Sequence, residues 1–325
     1  MRAPLAFVVA LLLQSPAALL APEPPVQVAA NTWLIRPLPM PGRGPDGNTI
    51  VYDAPGGLIV VDTGRHSSQT DAILAFARER KKPVAAIVNT HWHLDHASGN
   101  GRLKAAFPNA RVHTTPAIDA VMAPGGFLAR NLDAAAGMAA SISDPTQKDE
   151  VQIFMSTMEH RADLRPDVPL TRSQDMTLAG RSLQVHITDK AVTDADVWLY
   201  DPATKVAVIG DLITMPVPYF KTACPDRWRA SLDDVWNTSF ETAIPGHGRP
   251  MTRAQVDMYR QSLTAFVSCV RSDKPRAACG AVWVDGMRSE IGDDDNRRKA
   301  IAANMEYYVD YLRKGGGKAP DCTAQ

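Results

Sequence analysis

No surplus of charge of either sign runs through the 325 residues: Lys and Arg total 35, Asp and Glu total 35, and the formal net charge is zero. A nucleic-acid binder, or a protein held on an anionic membrane, needs a basic excess to meet phosphates, so neither partner is expected. Also missing is an apolar run of about 20 residues, the length a membrane-spanning helix requires. The nearest approach, residues 3–13, is interrupted by Pro4 and ended by Gln14. Cysteine is scarce: Cys224, Cys269, Cys279 and Cys322 are the full set, and none stands in a Cys-x-x-Cys pair. That spacing argues against a cysteine-rich zinc site and a thioredoxin-like redox motif. No internal repeat is evident. Apolar residues make up 45% and charged residues 22%, the balance of an ordinary globular enzyme rather than a disordered or fibrous chain.

The N-terminus has the layout of a secretory signal peptide. A single positive charge at Arg2 precedes the short apolar core, and small residues follow at Ser15, Ala17, Ala18 and Ala21. Residues 1–21 are read as that peptide, with Ala17, Ala18 and Ala21 as cleavage points and Pro22 counting against the last. The mature domain, residues 26–315, is therefore expected in the periplasm or outside the cell, with no integral membrane span. An even number of cysteines fits an oxidising compartment. Four cysteines allow three connectivities. The preferred one closes a short loop with Cys269–Cys279 and ties down the tail with Cys224–Cys322.

Hydropathy patterning predicts α/β layering. Residues 26–36 and 49–53 are extended, separated by a Pro- and Gly-rich loop over 37–47. Residues 57–62 (GLIVVD) and 84–89 read as buried strands, and 67–80 between them as a helix with Ile73, Leu74, Phe76 and Ala77 at helical spacing. Strand, helix, strand in that order points to a layered fold. Residues 116–165 are rich in Ala, Met, Asp and Gln and are read as a helical insertion, too small to bury a core of its own. Strands return at 181–188, 197–200 and 205–210. A helix over 226–236, a short strand over 242–244 and helices over 253–271 and 296–313 complete the chain.

Chemistry concentrates in Asn89-Thr90-His91-Trp92-His93-Leu94-Asp95-His96, directly after the strand at 84–88. Three of the chain's eight histidines and a carboxylate fall within six positions. Imidazole nitrogens and carboxylate oxygens suit zinc, and a short loop leaving a strand can turn them toward one point. Alternation puts His91 and His93 on one side, while Asp95 and His96 lie where the next helix begins.

This His-x-His-x-Asp-His run resembles that of the metallo-β-lactamase-fold hydrolases, and further motifs follow in that superfamily's order. Asp62 in Val61-Asp62-Thr63-Gly64 matches the acidic residue supporting the metal loop. Asp211 in Ile209-Gly210-Asp211 matches the bridging carboxylate, and His247 in Pro245-Gly246-His247-Gly248 matches the late metal-binding histidine. The resemblance spans residues 31–250. It implies an αββα sandwich with the insertion and C-terminal helices added, a zinc centre of one or two ions, and His91, His93, Asp95, His96, Asp211 and His247 as ligands.

One position departs from the pattern. Where the family carries a His-Thr-x-x-Asp motif, this chain reads Val192-Thr193-Asp194-Ala195-Asp196. Valine cannot ligate. The resemblance therefore implies a weak site at His91 and His93, helped by Asp211 and water, and a complete one at Asp95, His96, His247 and Asp211. His186 is the nearest replacement for the missing ligand, with a hydrogen-bonded strand histidine as its plainer reading.

The expected activity is hydrolysis of an ester, thioester, lactone or amide of a small molecule, a β-lactam among them. Zinc lowers the pKa of a bound water to about 7 and so supplies hydroxide without a separate base. Asp95 and Asp211 are assigned the catalytic roles of orienting and bridging that water, and Asp62 the support of the histidine loop. Tyr219, Phe220 and Lys221 are candidates to line the substrate pocket, and Phe127, Phe154 and Met155 to face inward from the insertion. Two alternatives stay open: an oxidative enzyme with mononuclear iron, and a non-catalytic accessory protein of a periplasmic quinoprotein pathway, since chains similar to this one accompany such systems. Sequence leaves the oligomeric state open.

Overall fold

The computed structural model describes residues 23–320 and Cys322, so the expected signal peptide lies outside the described residues. The chain opens with three strands, β1 (Val26–Ala29), β2 (Thr32–Ile35) and β3 (Thr49–Ala54), and then divides into two compact units.

The first unit comprises Leu34–Val51 and Gly57–Pro169. The apolar runs predicted as strands form β4 (Gly57–Val61) and β5 (Val84–Val88), and every residue of β4 is buried. Between them runs α1 (Ser67–Arg80), which buries Ile73, Phe76 and Ala77 and stops where Lys81 takes a left-handed conformation. The short helices α2 (Leu94–Ala97) and α3 (Asn100–Ala106) lead into β6 (Arg111–Thr114). β4, β5 and β6 pair in parallel and β7 (Val168–Pro169) closes that edge, as expected of strands joined by crossover helices.

The chain after β6 is helical: α4 (Ala117–Met122), α5 (Phe127–Met138) and α6 (Pro145–Glu159), with 3-10 turns at Ala139–Ser141 and Arg161–Leu164. Pro145 opens α6 and the Asp144 carboxylate accepts from Gln147 N at 2.9 Å, a cap of the usual kind. The insertion buries no large core of its own. Its Ile118, Val121, Leu128, Met158 and Leu164 cluster instead with Trp92, Leu94 and Ala97 of the histidine loop, with Phe127 and Phe154 packed alongside.

The second unit comprises Gln27–Trp33, Tyr52–Gly56 and the chain from Leu170 onward. Its sheet follows the order β13-β12-β11-β10-β9-β8, built from β8 (Gln174–Leu178), β9 (Arg181–Asp189), β10 (Ala195–Asp201), β11 (Val206–Thr214), β12 (Thr242–His247) and β13 (Met251–Thr252). All nine residues of β11 are buried. The helices α7 (Pro225–Trp236), α8 (Arg253–Val270), α9 (Arg276–Gly286), α10 (Arg288–Ile291) and α11 (Asp295–Lys314) contribute, with β10 and β11, one apolar cluster containing Trp198, Phe220, Trp228, Tyr259, Phe266 and Trp283. Sequence periodicity anticipated α7, α8 and α11. It missed α9, whose Arg276–Gly286 segment carries two glycines and no strong stripe. Both preferred disulfides are present, Cys224–Cys322 and Cys269–Cys279.

Candidate metal centre

In the first unit the ligand-rich loop is a turn held from within. Asn89 follows β5 directly and its side chain bridges the two sides of the loop: Nδ2 donates to His96 O at 3.2 Å, and Oδ1 accepts from Asn100 Nδ2 at 2.7 Å. His91 and His96 are almost fully buried and His93 nearly so. The His91 ring lies 4.5 Å from that of His93 and 4.3 Å from that of His96, centre to centre. Asp95, the most exposed of the four, brings Oδ2 to 3.6 Å from His96 Nε2.

Asp62 organises this cluster. It sits just beyond β4 at φ +60°, a left-handed conformation that costs a non-glycine residue energy and recurs where function fixes the backbone. Its Oδ1 accepts from Thr90 N at 2.8 Å, and its Oδ2 accepts from Thr90 Oγ1 at 2.8 Å and lies 2.8 Å from His96 Nδ1. A carboxylate there makes His96 the Nδ1–H tautomer, so its Nε2 carries the lone pair. The Thr90 hydroxyl, its proton given to Asp62, lies 2.9 Å from His91 Nδ1 and accepts from it. His91 thus also carries its lone pair on Nε2. One carboxylate sets the tautomer of two imidazoles, one directly and one through a hydroxyl.

Gly47 presses on the same cluster. Its N–H donates to Asp95 O at 2.9 Å, and a Cβ at this position would stand 2.4 Å from His96 Cε1. Only glycine lets the backbone approach the ring so closely.

The second unit carries the other two predicted ligands. Gly210, at φ +52°, interrupts the register of β11 against β12 just before Asp211. His247 ends β12, with Nε2 3.5 Å from Asp211 Oδ1. Gly246 supplies the clearance, because a Cβ there would stand 2.0 Å from Asp211 Oδ1. Asp211 itself is a buried strand residue of β11.

The departing motif is also placed. Val192 is fully buried within the apolar cluster of the unit. Asp196 builds its turn, accepting from Val192 N and Thr193 N on Oδ2 and from Thr193 Oγ1 on Oδ1, each at 3.0 Å. Burial pushes the Asp196 carboxyl up to about 7 against the pull of those hydrogen bonds. His186 lies flat on Trp198 across β9 and β10, ring centres 3.8 Å apart and planes 6° from parallel, and burial lowers its pKa. It is a packing residue, closer to its plainer reading than to a replacement ligand.

Sequence reading missed His66, which had no partner spacing. Its Nδ1 lies 2.8 Å from Asp46 Oδ2 and its Nε2 2.8 Å from Glu150 Oε1. Those partners are 20 and 84 residues away, so no local pattern can announce them. Thr90 and Gly47 were missed as well.

The donor set fits a metal ion: the imidazoles of His91 and His96 presented through Nε2 with their Nδ1 positions anchored, a further imidazole at His93 and the Asp95 carboxylate are the chemistry that zinc and related divalent ions take.

Comparison with known proteins agrees. The profile of the metallo-beta-lactamase superfamily matches residues 42–247. The linear primary-alkylsulfatase of Pseudomonas sp. (strain ATCC 19151) is 28% identical over 287 residues, covering 81% of this chain and 52% of the relative; the chain thus spans about half its length. A metallo-beta-lactamase family protein from Thermus thermophilus superposes with a TM-score of 0.57 at 19% identity, over 88% of this chain and 94% of that one. The stereoselective inverting sec-alkylsulfatase Pisa1 from Pseudomonas sp. superposes with a TM-score of 0.58 at 16% identity, over 89% of this chain and 50% of that one. These likenesses show the fold.

Proposed function

The chain belongs to the metallo-beta-lactamase superfamily as a metal-dependent hydrolase, and from that premise we propose that it is an exported zinc enzyme cleaving an ester of a small anionic molecule, sulfate esters foremost. On the superfamily's pattern the metal ligands would be His91, His93, Asp95, His96, Asp211 and His247. The observation that carries the metal reading is the Asp62–Thr90 relay, which fixes two imidazoles in the tautomer that ligates through Nε2. Zinc, when bound, supplies Lewis acidity and an activated water.

The chain's own side chains supply the rest. Asp95 would orient the attacking water toward the ester, and the proton that the water gives up would leave with the departing oxygen. Asp211 would add a negatively charged ligand, and Asp62 keeps the Nδ1 protons of His96 and, through Thr90, His91 in place. Val192 stands where the superfamily's motif carries a histidine and offers no donor, so an ion held through His91 and His93 would be bound more weakly than one held through Asp95 and His96.

Preference for sulfate esters is supported by the alkylsulfatase relative, whose sequence this chain matches over most of its own length. Export is supported by the two disulfides, which persist in oxidising compartments.

The test is metal analysis of protein expressed with its leader, followed by hydrolysis of a primary alkyl sulfate, a carboxylic ester and a chromogenic β-lactam during titration with a chelator. Tightly held zinc whose removal and return track sulfate-ester cleavage is the expected result. Iron, or no tight metal at all, would sink the zinc reading. Tight zinc without turnover of any of the three would overturn the hydrolytic one in favour of an accessory role.

A further inference from the structure

Asn100 opens α3 four residues after His96, and every polar group of its side chain is engaged. Its Nδ2 donates to Asn89 Oδ1 at 2.7 Å and to Asp163 O at 3.3 Å. Its Oδ1 accepts from Asn89 Nδ2 at 3.2 Å and from Thr63 Oγ1 at 3.0 Å. Asn89 and Asn100 thus exchange two hydrogen bonds, amide to amide. Both side chains are buried, as is Thr63. The neighbouring glycines admit this close approach: a Cβ at Gly99 would stand 2.4 Å from Thr63 O, and one at Gly101 would stand 2.3 Å from Asp163 Oδ2. Asn89 is anchored in turn on β6, its N–H donating to His113 O and its carbonyl accepting from Thr114 Oγ1, each at 3.0 Å.

This pair bears on a predicted ligand. The remaining Nδ2 proton of Asn89 goes to His96 O at 3.2 Å, a carbonyl that also accepts from Thr63 N at 2.7 Å. Asp62 holds the His96 ring at Nδ1, whereas Asn89 and Thr63 hold the backbone from which the ring projects. Turned over, the Asn89 amide would set Oδ1 against His96 O, acceptor against acceptor. Asn100 opposes that turn, because its own Oδ1 and Nδ2 meet Nδ2 and Oδ1 of Asn89 in complementary order. Asp163 O fixes the order on the other side, since a carbonyl can only accept. Two apolar side chains of similar shape could fill this space at little cost in stability. They would give His96 O no donor. A buried amide pair with all four N–H groups used, ending on the carbonyl of a ligand, gives that ligand a defined place.

We propose that Asn100 is a positioning residue for the metal loop: by locking the Asn89 amide it holds the carbonyl of His96, and so the ring that presents Nε2. The assignment rests on the metal reading above for what that Nε2 binds.

Two measurements test it on the full-length disulfide-bonded protein, in wild type, Asn100→Asp and Ile73→Val. Asn100→Asp keeps the shape and removes both N–H donors. Ile73→Val takes a methyl group from the buried face of α1 and controls for lost packing. The first measurement is amide hydrogen exchange by NMR on metal-free protein, reading the Thr63 N–H that donates to His96 O. In Asn100→Asp it should exchange about tenfold faster than in wild type, while the amides of β5 keep their rates. An unchanged Thr63 rate would overturn the proposal, as would an equal acceleration throughout β5. Should Asn100→Asp not fold, Asn100→Ser, smaller and uncharged, takes its place with the same expectation. The second measurement combines the visible spectrum of the cobalt-substituted protein with zinc affinity from chelator competition. Asn100→Asp should alter the cobalt bands and raise the zinc Kd about tenfold, the lower end of the range for partners that orient ligands, and Ile73→Val should match wild type in both. A wild-type spectrum and affinity in Asn100→Asp, or the same changes in Ile73→Val, would mark a packing role and overturn the proposal. A wild type that binds neither metal counts against the metal reading alone, and the Thr63 exchange rate then decides whether Asn100 holds His96.

Discussion

His66 Nε2 lies 2.8 Å from Glu150 Oε1 and thereby joins the N-terminus of α1 to the middle of α6 in the insertion. The imidazole is buried, and its other nitrogen is held 2.8 Å from Asp46 Oδ2. Asp46 also accepts from His66 N at 2.9 Å, while Arg43 and Arg65 close on Glu150 at 3.1 Å and 3.3 Å. The next residue along from Asp46 is Gly47, the glycine lying against His96. The insertion, the strap formed by residues 37–47 and the ligand loop are therefore connected within one unit, by the His66, Asp46 and Glu150 side chains and by the Gly47 N–H to Asp95 O hydrogen bond.

This clasp should titrate. Burial works against the His66 imidazolium, but hydrogen bonds to Asp46 and Glu150 outweigh it and raise the pKa to about 9. A raised folded-state pKa means stabilisation that is complete below the unfolded value of about 6.5 and lost as pH climbs through about 9. Glu150 behaves oppositely: burial alone would raise it, yet His66, Arg65 and the Gly44 amide hold it at about 2, so its contribution is present above about 4.5 and lost as pH falls through 2. Limited proteolysis of the connector between α5 and α6 should be slowest below about pH 6.5, accelerate progressively above it and level off past about pH 9. In Glu150→Gln it should already be fast at about pH 7, with little further rise. A pH step of equal size in the variant would remove the clasp from the explanation.

Removing the imidazole should cost more than removing its charge. His66→Ala leaves the buried Asp46 carboxylate facing a void, a loss of about 3 kcal/mol by analogy with other broken buried ion pairs. Urea denaturation at neutral pH measures it. A loss under about 1 kcal/mol would mean that Asp46 is satisfied by its backbone donors alone.

The Asp62 relay makes a prediction about metal rather than stability. Asp62→Asn can still accept from Thr90, but it removes the charge that favours the Nδ1–H tautomer of His96. Thr90→Val keeps Asp62 and severs the link to His91. Asp62→Asn should weaken zinc binding roughly 10–100-fold, the usual range for such outer partners, and Thr90→Val should weaken it less. Competition with a chromogenic chelator reads both. Equal affinities in wild type and Asp62→Asn would show that loop packing alone sets the tautomers.

Much of this site was legible because its information is local. His91, His93, Asp95 and His96 fall in one loop after a buried apolar strand, and Asp211 and His247 each follow a glycine within a strand. Strand periodicity and glycine punctuation are short-range properties, so they survive in the sequence alone. The supports are different. Glu150 reaches His66 across 84 residues, and Gly47 matters only because the His96 ring lies against it. α9 escaped because tertiary burial of Trp283 and Cys279, rather than a periodic stripe, holds it. Local composition cannot encode contacts that exist only once the chain has closed.

Gly47 offers a sharp steric test. Gly47→Ala puts a methyl group 2.4 Å from the present position of His96 Cε1, so either the strap or the ring must shift. The strap is anchored at Asp46, and His96 is anchored at Asp62. Either displacement should reduce zinc affinity and hydrolysis together by an order of magnitude or more, since small misplacements of reacting groups carry large penalties. Circular dichroism and urea midpoints separate this from global unfolding. Full activity in the variant would mean that the ligand loop is looser than its hydrogen bonds indicate.

Restoring the missing imidazole is the most demanding test of the proposed pair of sites, because two effects oppose each other. Val192→His introduces the donor that the superfamily motif carries, beside Asp196 and its turn. It also places a polar ring in a position now fully buried among apolar residues, where an unpaired imidazole costs about 1–3 kcal/mol. Without metal, the variant should therefore melt several degrees below wild type. With excess zinc the order should reverse, since an ion binding only the folded chain stabilises by RT ln(1 + [L]/Kd), about 2.7 kcal/mol at a hundredfold excess over Kd. Titration with zinc should also raise the tightly held stoichiometry toward two. A variant destabilised equally with and without zinc would show that the ring points into the core, and that the weak site was abandoned by more than the loss of one side chain.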